Sequence, residues 1–251
     1  MVALITGATA GFGHETALLL AQHGFDLIIC GRRKERLEHL ENLIVHKFGR
    51  RVLSLSFDIR KKDEVKSAVE KIPPIFDSID VLINNAGLAS GFGTIENGNM
   101  EDWEKMIDTN VKGLLYMTRN VAPMMVAQKK GHIINVGSIA GKEVYANGNV
   151  YCATKFAVDA LNKAMRIELV QYGIKVSSIN PGMAETEFSL VRFHGDENRA
   201  KNVYKGIDAL TATDIAETIY WVISRPSHVN INEIIIMPTY QANTTLTIRK
   251  E

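Results

Sequence analysis

The chain has 251 residues, 46% hydrophobic and 23% charged, with 29 lysines and arginines against 28 aspartates and glutamates. This is the composition of a soluble globular protein able to bury a large core, and the near-cancelling charges set up no field toward nucleic acid or an anionic membrane. No apolar run approaches the roughly 18 residues of a membrane span, and Cys30 and Cys152 have neither CxxC nor metal-ligand spacing, so a reduced, cytoplasmic protein with no metal is expected.

Met1 leads directly into Val2 to Thr6, a short apolar strand, so no signal or transit segment is expected. Gly7-Ala8-Thr9-Ala10-Gly11-Phe12-Gly13 follows, and Glu15 to His23 then has helical periodicity, with Gly24 a fitting terminator. Strand, glycine turn and helix in this order suit a dinucleotide. The glycines allow a tight turn and a close backbone approach to a pyrophosphate, and the helix N-terminus offers free N–H groups. The spacing is Gly-x-x-x-Gly-x-Gly rather than GxGxxG, which leaves a plain strand–helix turn open as the alternative. Asp26 to Cys30 is the second strand, ending in Gly31-Arg32-Arg33. An NAD site commonly has an acid here for the ribose 2′-hydroxyl. Two guanidiniums suit a phosphate instead, so Arg32 and Arg33 predict NADP. The alternative is a solvated helix start, since Lys34, Glu35 and Arg36 follow.

Leu37 to Phe48 continues as a helix, and Val52 to Phe57 is a third strand with Asp58 and Ile59 beyond its end, where an adenine ring would lie. Lys62 to Lys71 is a short helix that stops before Pro73-Pro74. Ile79 to Ile83 is the fourth strand, and in the following Asn84-Asn85-Ala86-Gly87 the amides can tie down backbone or reach a cofactor ribose while the small residues leave it room. Ser90 to Gly98 is a glycine-rich loop. Met100 to Gln128 is a long helix whose Trp103, Met106, Ile107, Val111, Leu114 and Leu115 belong to the core or a subunit interface, with an interruption expected at Pro123. Asn110 is a mediocre helix former inside it, suited to a kink, a held water, or simple exposure.

His132 to Val136 is a buried strand that places Ser138 at its carboxyl end, where open parallel sheets bind ligands. After a small-residue loop from Ala140 to Val150, Tyr151-Cys152-Ala153-Thr154-Lys155 opens a helix that runs to Gly173. Its phenol and ammonium share one face. A positive charge about 5 Å from the phenol, in an effective dielectric near 20, is worth roughly 3 kcal/mol, or about two pKa units. Lys155 could thus bring Tyr151 toward useful basicity beside a bound nicotinamide. Ile174 to Ile179 is the sixth strand, closed by Asn180-Pro181-Gly182. Met183 to Asp196 has no clear period and suits a lid, which extends to about residue 205. Thr211 to Ser224 is a last helix, Ile231 to Met237 a last strand, and the polar tail from Thr239 is expected to pack on another subunit. Seven strands alternating with helices predict one doubly wound α/β domain over 1–251, a seven-stranded parallel sheet with helices on both faces. Each candidate group lies where a strand has just ended.

On these residues the chain resembles the short-chain dehydrogenase/reductase family along essentially its whole length. Thr6 to Gly13 match the family's glycine loop, Asn84 to Gly87 its NNAG, Asn110, Ser138, Tyr151 and Lys155 its catalytic tetrad, and Pro181-Gly182 with Thr186 its Pro-Gly turn and later threonine. Within the family the chain is most similar to NADP-dependent dehydrogenases of 3-hydroxy acids such as serine and L-allo-threonine, through Gly31-Arg32-Arg33, Glu101 to Asn110, Glu187 to Asp196 and Ser227 to Asn232. It departs at Cys152, where glycine or alanine is usual, and at Met183-Ala184-Glu185, which looks shorter than the corresponding lid segment.

The resemblance implies a Rossmann fold and a division of roles. Ser138 holds the substrate oxygen, Tyr151 takes its proton, Lys155 bonds the nicotinamide ribose, and Asn110 holds a relay water. The glycine turn, Arg32, Arg33, Asp58, Ile59, Asn85, Ala86, Gly87, Pro181, Gly182, Met183, Ala184 and Thr186 are then expected around NADP. A 3-hydroxy acid needs a cation for its carboxylate, with Arg192 the first candidate and Lys142 the second. The resemblance also implies a homotetramer with Met100 to Gln128 and the Tyr151 helix at its interfaces. Rival readings are an NADPH-dependent reductase of another small carbonyl, sugar or steroid alcohol, and an NADP-sensing binding protein. The intact Ser, Tyr and Lys argue against the sensor.

Overall fold

Alternate residues of the first strand belong to different cores: Ala3 and Ile5 to one, Val2 and Leu4 to the other, all of them buried. Side chains of a strand point alternately to its two faces, so an all-apolar strand requires cover on both. The computed structural model, which describes residues 1–76 and 78–250, supplies that cover. Strands β1 (Val2–Thr6), β2 (Asp26–Gly31), β3 (Val52–Ser56), β4 (Val81–Asn84), β5 (Gly131–Val136), β6 (Ile174–Pro181) and β7 (Glu233–Ile236) form one sheet in the order β3-β2-β1-β4-β5-β6-β7. Every pairing is parallel.

Helices α1 (Gly11–Gln22), α2 (Lys34–Phe48) and α9 (Ala212–Ile223) cover one face, inserting Leu20, Leu40, Ile44 and Ile219 among β-strand side chains. On the other face lie α3 (Lys62–Glu70), α5 (Leu114–Gln128) and α6 (Asn149–Leu169), with Val65, Met117, Val121, Met125 and Val158. A fully buried side chain of this size contributes roughly 1.5–3 kcal/mol. The chain leaves β1 for β2 on one side, and later for β4 on the other. That reversal opens a crevice at the carboxyl ends of β1 and β4, which is where sheets of this kind bind ligands.

Two segments differ from the sequence expectations. The helix expected over Met100 to Gln128 is α4 (Met100–Ile107), a π-helical turn over Asp108–Gly113, and α5, and it passes Pro123 without a break. Val121 and Met125, buried on either side of the proline, hold α5 on course, and the irregularity falls at Asn110 instead. The lid segment is helical, with α7 (Phe188–Arg192) and α8 (Glu197–Tyr204), the latter capped by Asp196 accepting from the Arg199 N–H at 3.0 Å. Helices of one or two turns are too short to display a period. The tail packs on its own chain: the Met183 N–H donates to Gln241 at 2.7 Å and the Thr244 N–H to Glu143 at 3.0 Å. Among the described residues no helix is long and apolar enough to cross a membrane.

Candidate active site

The carboxyl ends of β1, β2, β4, β5 and β6 open into one cavity of about 510 Å³, within the roughly 300–1,000 Å³ of small-molecule sites. Its floor begins at the glycine turn, where Gly7 and Gly11 have φ of +68° and +54°, a region that L side chains avoid. Gly13 serves differently from expectation. It does not line the cavity; a Cβ there would sit 2.5 Å from the Gly7 carbonyl oxygen, so its missing side chain lets α1 close on the turn. Asn85 ties this turn to β4, donating to the Thr6 and Gly7 carbonyls at 2.8 and 3.2 Å, while the Thr6 hydroxyl accepts the Asn85 and Ala86 N–H groups.

At one end of the cavity stand Arg32, Arg33, Asp58 and Ile59. Arg33 donates through Nε and Nη2 to the Thr9 hydroxyl and through Nη1 to Glu187, 2.8 Å away; Arg36 reaches the other Glu187 oxygen at 2.7 Å. Asp58 is bonded by Arg60, which holds its carboxyl below the usual range against the opposing effect of burial. At the opposite end Ser138, Tyr151 and Lys155 line the same chamber, all three buried. The Ser138 hydroxyl accepts the Ala140 N–H at 3.1 Å, which fixes it at the end of β5. Lys155 donates to the Val136 carbonyl at 2.9 Å, so its ammonium is held between α6 and β5. Gly141 permits this: a Cβ there would lie 2.6 Å from the Lys155 carbonyl.

Burial and the protein's own side chains set the electrostatics at Tyr151. Burial pushes the Tyr151 phenol above its ordinary value, Tyr145 adds to the rise, and Arg192 and the Ser138 hydroxyl oppose it. Lys155, 5.9 Å from the Tyr151 ring centre, is itself pushed down to about 8 by burial. Desolvation, which sequence spacing does not reveal, is the leading cause at both groups. Asn110 faces inward from the π-helical turn and finds partners there. It is buried but absent from the cavity lining. Its amide donates to the Leu88 carbonyl at 2.8 Å and to Thr154 at 3.0 Å, and its oxygen accepts the Leu88 N–H. Both amide hydrogens are spent bracing β4's exit against α6.

Arg192, the last residue of α7, reaches into the chamber. It donates to the Tyr145 hydroxyl at 2.5 Å, and its guanidinium lies over the rings of Tyr151 and Phe188 at 5.1 and 5.2 Å. Its Nε–H is buried with no partner among the described residues. Lys142, the second carboxylate candidate, is absent from the lining and neutralised by Asp159 and Glu233, each 2.6 Å away. All other sequence-selected site residues, from Gly7 to Thr186, border the cavity.

A family model described as short chain dehydrogenase matches residues 1–196. The chain belongs to this family. Among curated relatives, the NADP-dependent 3-hydroxy acid dehydrogenase YdfG of Salmonella typhi is 44% identical over 251 residues, the whole of both chains. Serine 3-dehydrogenase of Agrobacterium fabrum is 43% identical over 239 residues, covering 95% of this chain and 94% of its own. Among solved structures, the closed form of serine dehydrogenase complexed with NADP+ is 42% identical over the whole of both chains, with a TM-score of 0.93. As a short chain dehydrogenase, the protein also carries lining residues that its sequence did not disclose: Tyr145, Glu187, Phe188, Tyr204 and Gln241. Each comes from the loop before α6, the lid or the tail, where no local pattern marks a residue as facing the site. Glu187 is 154 residues from its partner Arg33, and only the fold brings them together.

Proposed function

We propose that this short chain dehydrogenase uses NADP to oxidise, reversibly, the 3-hydroxyl of small 3-hydroxy acids of the serine and L-allo-threonine kind. One observation carries the reading: Arg192, whose buried Nε–H has no partner among the described residues, borders the same chamber as Ser138, Tyr151 and Lys155. A carboxylate and a hydroxyl on neighbouring carbons would each find a matching group there. The names of the relatives, which include both a 3-hydroxy acid dehydrogenase and a serine 3-dehydrogenase, support it.

The residues present suit the cofactor. The turn from Gly7 to Phe12 offers a close backbone approach at Gly7 and Gly11, Arg32 and Arg33 the cations for a 2′-phosphate, Asp58 and Ile59 an adenine edge, and Asn85 to Gly87, Lys155 and Pro181 to Thr186 the far half. Bound NADP supplies the hydride acceptor and, oxidised, a positive charge. Ser138 donates a hydrogen bond to the substrate oxygen. Tyr151 takes the hydroxyl proton in oxidation and returns it in reduction, and its buried phenol is protonated at rest, the state reduction requires. Lys155, mostly charged at neutral pH with a pKa near 8, supports the phenolate and reaches the ribose. Asn110 has only the second lone pair of its oxygen left for a water, so its contribution is chiefly to hold Leu88 and the α6 backbone in place. We place residues 1–251 in one catalytic unit with a lid around 183–205, working in the cytoplasm as a homotetramer. The half-exposed Ile107, Leu115 and Phe156 on α4, α5 and α6 support association through those helices.

The test is NADPH formation from NADP+ with a panel of 3-hydroxy acids and the matching alcohols lacking a carboxylate. The acids should be preferred in kcat/KM by at least about tenfold, the factor set by about 1.4 kcal/mol, and Arg192→Ala should erase that preference by raising KM. Equal turnover of the carboxylate-free alcohols would defeat the assignment.

A further inference from the structure

The base of the lid is fastened to the arginines at the far end of the cavity. Thr186 packs over the glycine turn, its Cβ 3.4 Å from where a Cβ on Gly11 would be. The next residue, Glu187, splits its carboxylate between Arg33 at 2.8 Å and Arg36 at 2.7 Å. Arg33 in turn grips the Thr9 hydroxyl through its two other donor nitrogens. A closed loop of contacts thus runs from the glycine turn to the arginines, across to the lid, and back over the turn. The cavity stays open beneath it, since Thr9, Gly11, Arg33, Thr186 and Glu187 all border the same space. Five residues beyond Glu187, at the end of the same short helix, Arg192 stands in the substrate chamber.

We propose that Glu187 is a positioning residue that clasps the lid over the cofactor through the 2′-phosphate arginines, and so couples NADP binding to the placement of Arg192. The proposal rests on Arg32 and Arg33 receiving the 2′-phosphate. A phosphate brings a charge of about −1.5 to −2. Arg32, Arg33 and Arg36 together carry three positive charges, enough to neutralise that phosphate and the Glu187 carboxylate at once. With NAD the same arginines keep an excess of positive charge and have only Glu187 to hold. The clasp favours the phosphorylated cofactor by holding the Arg33 and Arg36 guanidiniums over the glycine turn before the phosphate arrives, a pre-positioning that must exceed the direct repulsion between phosphate and carboxylate. Arg36, which lies outside the cavity lining, gains a role as the second anchor.

The experiment is fluorescence titration of NADPH and NADH into the wild type, Glu187→Gln, Glu187→Asp, Arg36→Ala, Arg33→Ala and the Glu187→Gln/Arg36→Ala double variant, with steady-state kinetics on a 3-hydroxy acid. Glu187→Gln should weaken NADPH about fivefold, the factor for an ion pair worth about 1 kcal/mol. NADH affinity should change less, and Glu187→Asp should restore part of the loss. The double variant should be weaker than Arg36→Ala alone by less than the Glu187→Gln single effect, since Arg33 still holds Glu187 once Arg36 is gone, and in the Glu187→Gln variant the KM for the hydroxy acid should rise with kcat nearly unchanged. NADPH affinity that is unchanged or tighter in Glu187→Gln would overturn the clasp, the latter because the carboxylate would then be a competitor of the phosphate. If Arg33→Ala fails to reduce the NADPH over NADH preference, the phosphate assignment itself falls. If Arg33→Ala reduces it and Glu187→Gln does nothing, the clasp alone is wrong.

Discussion

Tyr151 and Lys155 are both displaced by burial, in opposite directions, toward their neutral forms. The phenol is pushed up and the ammonium down to about 8. This has a consequence for stability that can be signed. Below about pH 8, Lys155 is protonated in both folded and unfolded chains. Between about 8 and the ordinary lysine value of 10.5 the unfolded chain keeps a proton that the folded chain has released, so this group makes stability rise with pH across that window. Lys155→Met should lose that rise: the Tm of the variant minus that of the wild type, followed from pH 7 to 10, should fall as pH increases. A constant difference would mean that Lys155 titrates normally in the fold. The Ser138, Tyr151 and Lys155 set was legible in the sequence because helical spacing and a strand end are local facts. The net effect on the phenol was not, because it depends on Arg192 and Phe188 arriving from the lid to enclose it.

Among the elements, the π-helical turn at Asp108–Gly113 does the most to organise the site. It interrupts a continuous helix at the point where Asn110 must turn inward to meet Leu88 and Thr154, and π-turns often mark functional positions. Removing a buried partner leaves the groups it satisfied without one, each at about 1–3 kcal/mol. Asn110→Ala should therefore lower unfolding stability by about 2–3 kcal/mol in urea titration, and loss of less than about 0.5 kcal/mol would show that the bracing is not needed. Asn110 was singled out from sequence as an odd residue in a helix, yet Pro123 was the expected break. Local propensity identifies residues that strain a helix, whereas tertiary packing decides which strain is expressed. The lid shows the same limit, since α7 and α8 are stabilised by a cap at Asp196 and by contacts such as Ser189 with Tyr204 at 2.7 Å, not by periodicity.

For the whole molecule, the doubly wound parallel sheet was readable from the alternation of apolar runs and helices, because double-sided burial leaves few other architectures, whereas the strand order, with its reversal between β1 and β4, came only with the structure. The intrachain anchors of the tail were not readable either, because a polar segment carries no pattern naming its partner: Gln241 and Thr244 meet Met183 and Glu143 of the same chain. Exposed apolar residues on α4, α5 and α6 offer surfaces for the proposed assembly. In sedimentation velocity the protein should run as a tetramer, and Leu115→Glu/Phe156→Glu should split it; a monomeric wild type would contradict the proposed assembly. The most direct test of the account as a whole is NADP-linked turnover of a 3-hydroxy acid by Tyr151→Phe, measured together with NADPH binding by fluorescence. Loss of at least about a hundredfold in kcat, the lower bound for a positioned proton donor and acceptor, with NADPH affinity retained, is the predicted result. Near wild-type turnover in a variant without the phenolic hydroxyl would contradict it.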